Sequence, residues 1–245
     1  MVSKELPNSI GQLYYEINDV RGDGNCFYRT IYNIAQESEK AQDEFMLSKV
    51  DEEEGIENIR IYIANALRSV WEKDAIDSIH MICDILKEGD MNLYNDLHEL
   101  YPFLDINLCN KNKKNRIEYV ADRIENINEA MFASEIEKDI IKRDLEAVAD
   151  VSLLVISKNN EDRITLERKW KRDLLGLLQN STKKYVAIIV NKDNLHYQFL
   201  KFKRHTNDPK YYAIINRQMA IRYITNTGSI KTLRGGSFFL AKTKH

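Results

Sequence analysis

The chain has 245 residues, 43% hydrophobic and 30% charged, with a formal net charge of −2. That length supports one substantial core, or one core with an appendage. No apolar run of about 18 residues predicts a transmembrane span, and Met1-Val2-Ser3-Lys4-Glu5-Leu6-Pro7 lacks an apolar signal core. Three widely spaced cysteines argue against a disulfide framework and for a reducing, intracellular compartment.

Asp23-Gly24-Asn25-Cys26 comes first in chain order. Asp-Gly favours a tight turn, because glycine tolerates positive φ. Ile31, Ile34 and Ala35 then recur at helical spacing, so Cys26 is expected in the first turn of a helix that starts at a corner. Unpaired backbone N–H groups and the helix dipole favour a thiolate there, the nucleophile of cysteine hydrolases. A cysteine that only packs at a helix start fits the tetrapeptide equally well.

Gln36 to Glu54 is polar, and Asp51-Glu52-Glu53-Glu54 reads as a loop entering a helix, where acids suit the dipole. Ile56, Ile59, Ile63 and Leu67 make an amphipathic stripe. Ile76, Ile79, Ile82 and Leu86 make another, with Gly89 at its end, and Leu93, Leu97 and Leu100 form a shorter one that Pro102 breaks. Asn110 to Asn115 reads as a polar, basic loop before helix resumes at Ile117, Val120, Ala121, Ile124 and Ile127. Residues 151–156 read as a strand, Lys158 to Arg163 as a surface turn, and Glu167 to Leu178 as a helix carrying Trp170.

Tyr185 to Val190 and Leu195 to Leu200 flank Asn191-Lys192-Asp193-Asn194, which predicts a hairpin with a four-residue turn. His196 opens the second strand, a setting that suits a general base. Period two puts His196, Gln198 and Leu200 on one face. His80, His98, His205 and His245 have no comparable setting. Helical runs early and in the middle, with strands late, predict an α+β fold, a sheet backed by a helical lobe.

Together these segments resemble the ovarian-tumour (OTU) family of papain-like cysteine proteases. Asp23-Gly24-Asn25-Cys26-Phe27-Tyr28-Arg29-Thr30-Ile31 is similar to that family's Asp-Gly-Asn-Cys-Leu-Phe-Arg-Ala-Ile box, and Leu195-His196-Tyr197-Gln198 to its His-Tyr-Asp element. Weaker likenesses lie at Ile59 to Ala64, Phe132 to Glu137 and Val151 to Ile156. The resemblance covers about residues 13 to 202. It implies a papain-like fold with a small central β-sheet between helical lobes and an enlarged helical arm. The implied organisation is a protease domain over 1–202 with a helical insert at about 40–115, and a basic extension over 203–245 packed on the same domain.

The resemblance also implies release of ubiquitin from ubiquitylated proteins or polyubiquitin chains. Cys26 is then the nucleophile and His196 its base and acid. Asp23 matches a loop position beside the nucleophile, and an Asx turn explains it equally well. Backbone N–H groups of Asp23, Gly24, Asn25 and Cys26 line the oxyanion loop. The family's third triad member is usually Asp or Asn two residues after the histidine; here that residue is Gln198. Gln198 serves, or Asp23 or Asn194 replaces it, or the third member is dispensable. No metal or cofactor is expected: His80-x-x-Cys83 lacks a partner pair, and Cys83 and Cys109 read as structural.

Residues 201–245 hold ten Lys or Arg against one acid, Asp208, so the rest of the chain is acidic. An acidic docking surface complements ubiquitin's basic face. The basic, aromatic tail permits nucleic-acid or anionic-membrane contact, and docking on the acidic body explains it at least as well. Within it, Leu233-Arg234-Gly235-Gly236 matches the end of ubiquitin. Two other functions fit: a protease or acyltransferase for another modifier, and a non-catalytic binding module in which Gln198 marks a decayed site. The Lys-, Asn- and Ile-rich composition suits a microbial effector acting inside a host.

Overall fold

A computed structural model describes residues 14–69, 73–87, 95, 97–98, 101–127, 132–158, 176, 178–192, 196–203, 209–221 and 231–232. The architecture is mixed α+β. It divides into two compact units: residues 21–144, and residues 1–20 with 145–245.

The continuous unit is helical. Its elements are α1 (Cys26–Ala35), α2 (Glu39–Glu44), α3 (Glu52–Arg68), α4 (Lys73–Leu86), α5 (Ile106–Asn110), α6 (Lys113–Glu125) and most of α7 (Glu135–Val148). Short polar side chains start several of these helices by capping orphan N–H groups. Asp51 accepts from Glu54 N at 3.0 Å, Asp105 from Leu108 N at 2.7 Å and Asn112 from Asn115 N at 2.9 Å. At α7 the Ser134 backbone N–H donates to Glu137 Oε2 at 2.5 Å, the side-chain-to-backbone half of a capping box. The expected stripe of α3 is its buried face: Ile56, Ile59, Ile63 and Leu67 are each wholly inaccessible. That face packs between α1 and α6.

Two boundaries differ from the sequence reading. Asn110 to Asn115 is not one loop: Asn110 ends α5 and Asn112 caps α6, so only Lys111 and Asn112 lie between them. Charged residues in a first turn resemble a loop by composition, and the cap decides. Ile127 lies past the end of α6. Gly89, Leu93 and Leu100 fall outside the described residues, as do 160–170, with Trp170.

The second unit is built on a sheet of β1 (Tyr14–Asp19), β2 (Val151–Lys158), β3 (Tyr185–Lys192), β4 (His196–Lys203), β5 (Ile214–Asn216) and β6 (Lys231–Thr232). Spatial order is β2-β3-β4-β1-β6, with β5 also paired to β3. β2 and β3 are parallel, as are β1 and β6, whereas β3–β4, β4–β1 and β3–β5 are antiparallel. Between α7 and β2 lies Asp150 at φ +56°, a left-handed position that Asp tolerates, and Asp150 O accepts Tyr185 N–H at 3.0 Å.

The hairpin is tighter than expected. Asn191 and Lys192 belong to β3, and Lys192 pairs with His196, so the four-residue turn is corrected to at most residues 193–195. Strands are also not confined to the late chain: β1 precedes the Asp-Gly corner. Residues 209–221 join this sheet. Tyr212 bridges to Phe202, β5 lies on β3, and Ile215 and Ala220 share a core with Leu154, Ile188, Val190, Leu200 and Phe202.

Candidate active-site residues

Asp23, Gly24, Asn25 and Cys26 belong to the helical unit; His196 and Gln198 belong to the sheet unit.

Gly24 takes φ +83°, the left-handed step expected of Asp-Gly, and Cys26 is the first residue of α1. No acid stands in the first turn of α1 itself. Cys26 is buried.

The corner is fixed on two sides. Asp23 Oδ1 accepts Asn25 N–H at 3.1 Å, an Asx turn, and Asp23 Oδ2 takes Arg29 Nη2 and Arg21 Nε, both at 2.8 Å. Burial opposes ionisation of Asp23, but the Asn25 N–H, Arg29 and Arg21 outweigh it and hold the carboxyl below its ordinary value. Arg29 in turn reaches Glu52 at 2.5 Å and Glu53 at 3.2 Å at the start of α3. Asp23 is thus occupied in bracing its own loop.

On the other side Asn25 turns inward. Its Oδ1 accepts from Arg60 Nε at 2.9 Å and Nη2 at 2.7 Å, and Arg60 Nη1 donates to Ile124 O at 2.7 Å. The wholly buried guanidinium lies 4.2 Å from the Tyr28 ring centroid. Tyr28 OH donates to Glu137, whose carboxyl burial pushes up, against the Ser134 and Tyr28 hydrogen bonds and the Arg60 charge. The Asn25 N–H, expected in the oxyanion loop, donates here to Asp23 Oδ1.

In the sheet unit, β1 and β4 run antiparallel with Asp19 directly opposite Gln198. His196 lies two residues away on the same face as Gln198. His196 Nε2 meets Asp19 Oδ1 at 2.7 Å, and Gln198 Nε2 donates to the same oxygen at 2.9 Å. The Gln198 and His196 hydrogen bonds hold the Asp19 carboxyl below its ordinary value, against slight burial. A carboxylate can only accept, so Nε2 is the donor of this hydrogen bond and carries a proton.

Gln198 is one of several alternatives for a group beside the imidazole, and its amide donates to Asp19. Gln198 steadies the acid, and Asp19 is the group that holds the imidazole. The sequence reading missed Asp19 because it missed β1, although the aromatic and β-branched run Tyr14-Tyr15-Glu16-Ile17 ahead of the corner carried a strand signal. Asn194 and Leu233 to Gly236 lie outside the described residues.

Among the described residues no group of three or more His, Cys, Asp or Glu is placed to hold a metal ion, and no helix is long and apolar enough to cross a membrane. Compared with known proteins, the chain matches no family model and no curated protein sequence.

Proposed function

We propose that the chain is a thiol-dependent deubiquitinase of the papain-like ovarian-tumour type. The observation that carries the reading is the Asp19–His196 pair on adjacent strands, in which Nε2 donates to the carboxylate and Nδ1 is assigned the role of base. The nucleophile is Cys26, at a helix start whose corner is braced by Asp23 and Asn25.

In this mechanism the Cys26 proton passes to His196 Nδ1 and the sulfur adds to the carbonyl of ubiquitin's terminal glycine. Asp19 stabilises the imidazolium, a charged partner that Gln198 alone cannot supply. Collapse of the tetrahedral adduct expels the lysine amine, which takes the proton from His196. Water, activated by the same nitrogen, then hydrolyses the thioester and frees Cys26.

Ubiquitin bearing a C-terminal electrophile tests the reading. A covalent adduct mapped to Cys26, absent in Cys26→Ala and strongly slowed in His196→Ala, is the expected result. No adduct at Cys26 overturns it. Labelling by another Gly-Gly modifier but not by ubiquitin moves the assignment to that modifier, and diubiquitins of defined linkage then report chain preference.

A further inference from the structure

The helical unit holds a second pair of sulfurs. Cys83 on α4 and Cys109 on α5 are distant in sequence, yet the two helices pack together, their thiols interact, and both residues are buried, at 0% and 5% exposure. One buried guanidinium clasps both helices beside them. Arg116 Nη1 donates to Asp84 Oδ1 at 3.0 Å and to His80 O at 3.4 Å on α4, while Arg116 Nη2 donates to Cys109 O at 3.0 Å. α5 is further pinned by its Asp105 cap. The backbones that carry the two sulfurs are therefore held in register by bonds that do not involve the sulfurs themselves.

We propose that Cys109 and Cys83 form an oxidisable dithiol that a hydroperoxide converts into a disulfide joining α4 to α5. Cys109 reacts first, because it retains some exposure, whereas burial pushes the Cys83 thiol up to about 12 and Arg116 only partly offsets this. The Cys109 thiolate attacks one peroxide oxygen, the O–O bond breaks, and sulfenic acid and hydroxide result. Cys83 then attacks the Cys109 sulfur, the S–O bond breaks, and water leaves with the Cys83 proton. In balance, two thiols and one hydrogen peroxide give one disulfide and two waters. This inference is independent of the proposed protease reaction.

Full-length Cys26→Ala protein, which removes the third thiol, is treated with hydrogen peroxide under native conditions. It is then denatured, alkylated and analysed by intact mass and peptide mapping. The expected product lacks both alkyl groups, is lighter than reduced protein by two hydrogens, contains a Cys83–Cys109 linked peptide and is restored by dithiothreitol. In Cys83→Ser, Cys109 sulfenic acid accumulates and is trapped by dimedone. Recovery of both thiols, over-oxidation of either without a linked peptide, or linkage only after denaturation overturns the proposal.

Discussion

Replacing Arg60 with methionine probes what holds the corner before Cys26. The substitution keeps a long, helix-compatible apolar stem and removes the guanidinium. It strands Asn25 Oδ1, which loses donors at 2.9 and 2.7 Å, and Ile124 O, which loses one at 2.7 Å. Each buried acceptor left without a donor costs about 1–3 kcal/mol. Loss of the desolvated cation over Tyr28 adds about 1–2 kcal/mol. Relief from burying a full charge returns part of this, and the net expectation is about 3–5 kcal/mol, typical of breaking a buried charged network at one partner. For a chain of this size the melting temperature falls by roughly 2–4 °C per kcal/mol, hence by roughly 6–20 °C. Circular dichroism melts of wild type, Arg60→Met, Asn25→Ala and the double variant measure it. The two sites share hydrogen bonds, so the double variant loses at least about 1 kcal/mol less than the sum of the singles. A melting temperature within about 2 °C of wild type for Arg60→Met, or strict additivity, would refute the reasoning.

Asp19→Ala is expected to lower kcat/KM on a ubiquitin substrate by roughly 10²–10³, and Gln198→Ala by far less than either Asp19→Ala or Cys26→Ala, because Gln198 acts on the imidazole through Asp19; equal losses contradict that order. Asp23→Asn is expected to cost about 1–2 kcal/mol at pH 7, from its charge-assisted bond to Arg29. Since the folded carboxyl is held below the ordinary 3.8, its stabilisation is present above that pH and is lost as pH falls through the folded value. Urea unfolding of Asp23→Asn against wild type therefore shows a gap at pH 7 that closes as pH falls below the ordinary carboxyl value; a gap unchanged by acid contradicts this. Gly55→Ala places a Cβ 2.3 Å from the Tyr32 ring, while Tyr32 is tethered to Val50 O at 3.1 Å. The clash, about 1–3 kcal/mol, exceeds the gain in helix propensity, about 1 kcal/mol, so thermal denaturation should show a lower melting temperature. A rise would mean the ring moves freely.

Local chemistry made much of this legible. Positive φ at Gly24, the helix start at Cys26 and the buried stripe of α3 follow from residue types whose preferences act within a few positions. His196 opens β4 for the same reason. What sequence reading could not reach depends on pairing between distant segments. Asp19 matters because β1 lies beside β4, and no local rule says which strand will lie opposite His196. Asn25 looked like a loop residue with a spare N–H until Asp23 and Arg60 claimed its polar groups. Cys83 and Cys109 looked unrelated until Arg116 drew their helices together.

The sheet unit takes residues from both chain ends, whereas the helical unit is one unbroken stretch. During synthesis residues 21–144 are complete long before Lys203, the partner of Tyr14, leaves the ribosome. The helices therefore condense first, from nearby contacts, while β1 lacks β4 until residues 196–203 are made. Asp19, carried on that strand, meets His196 only after β4 has been made, so a product cut short before β4 keeps Cys26 and lacks the imidazole.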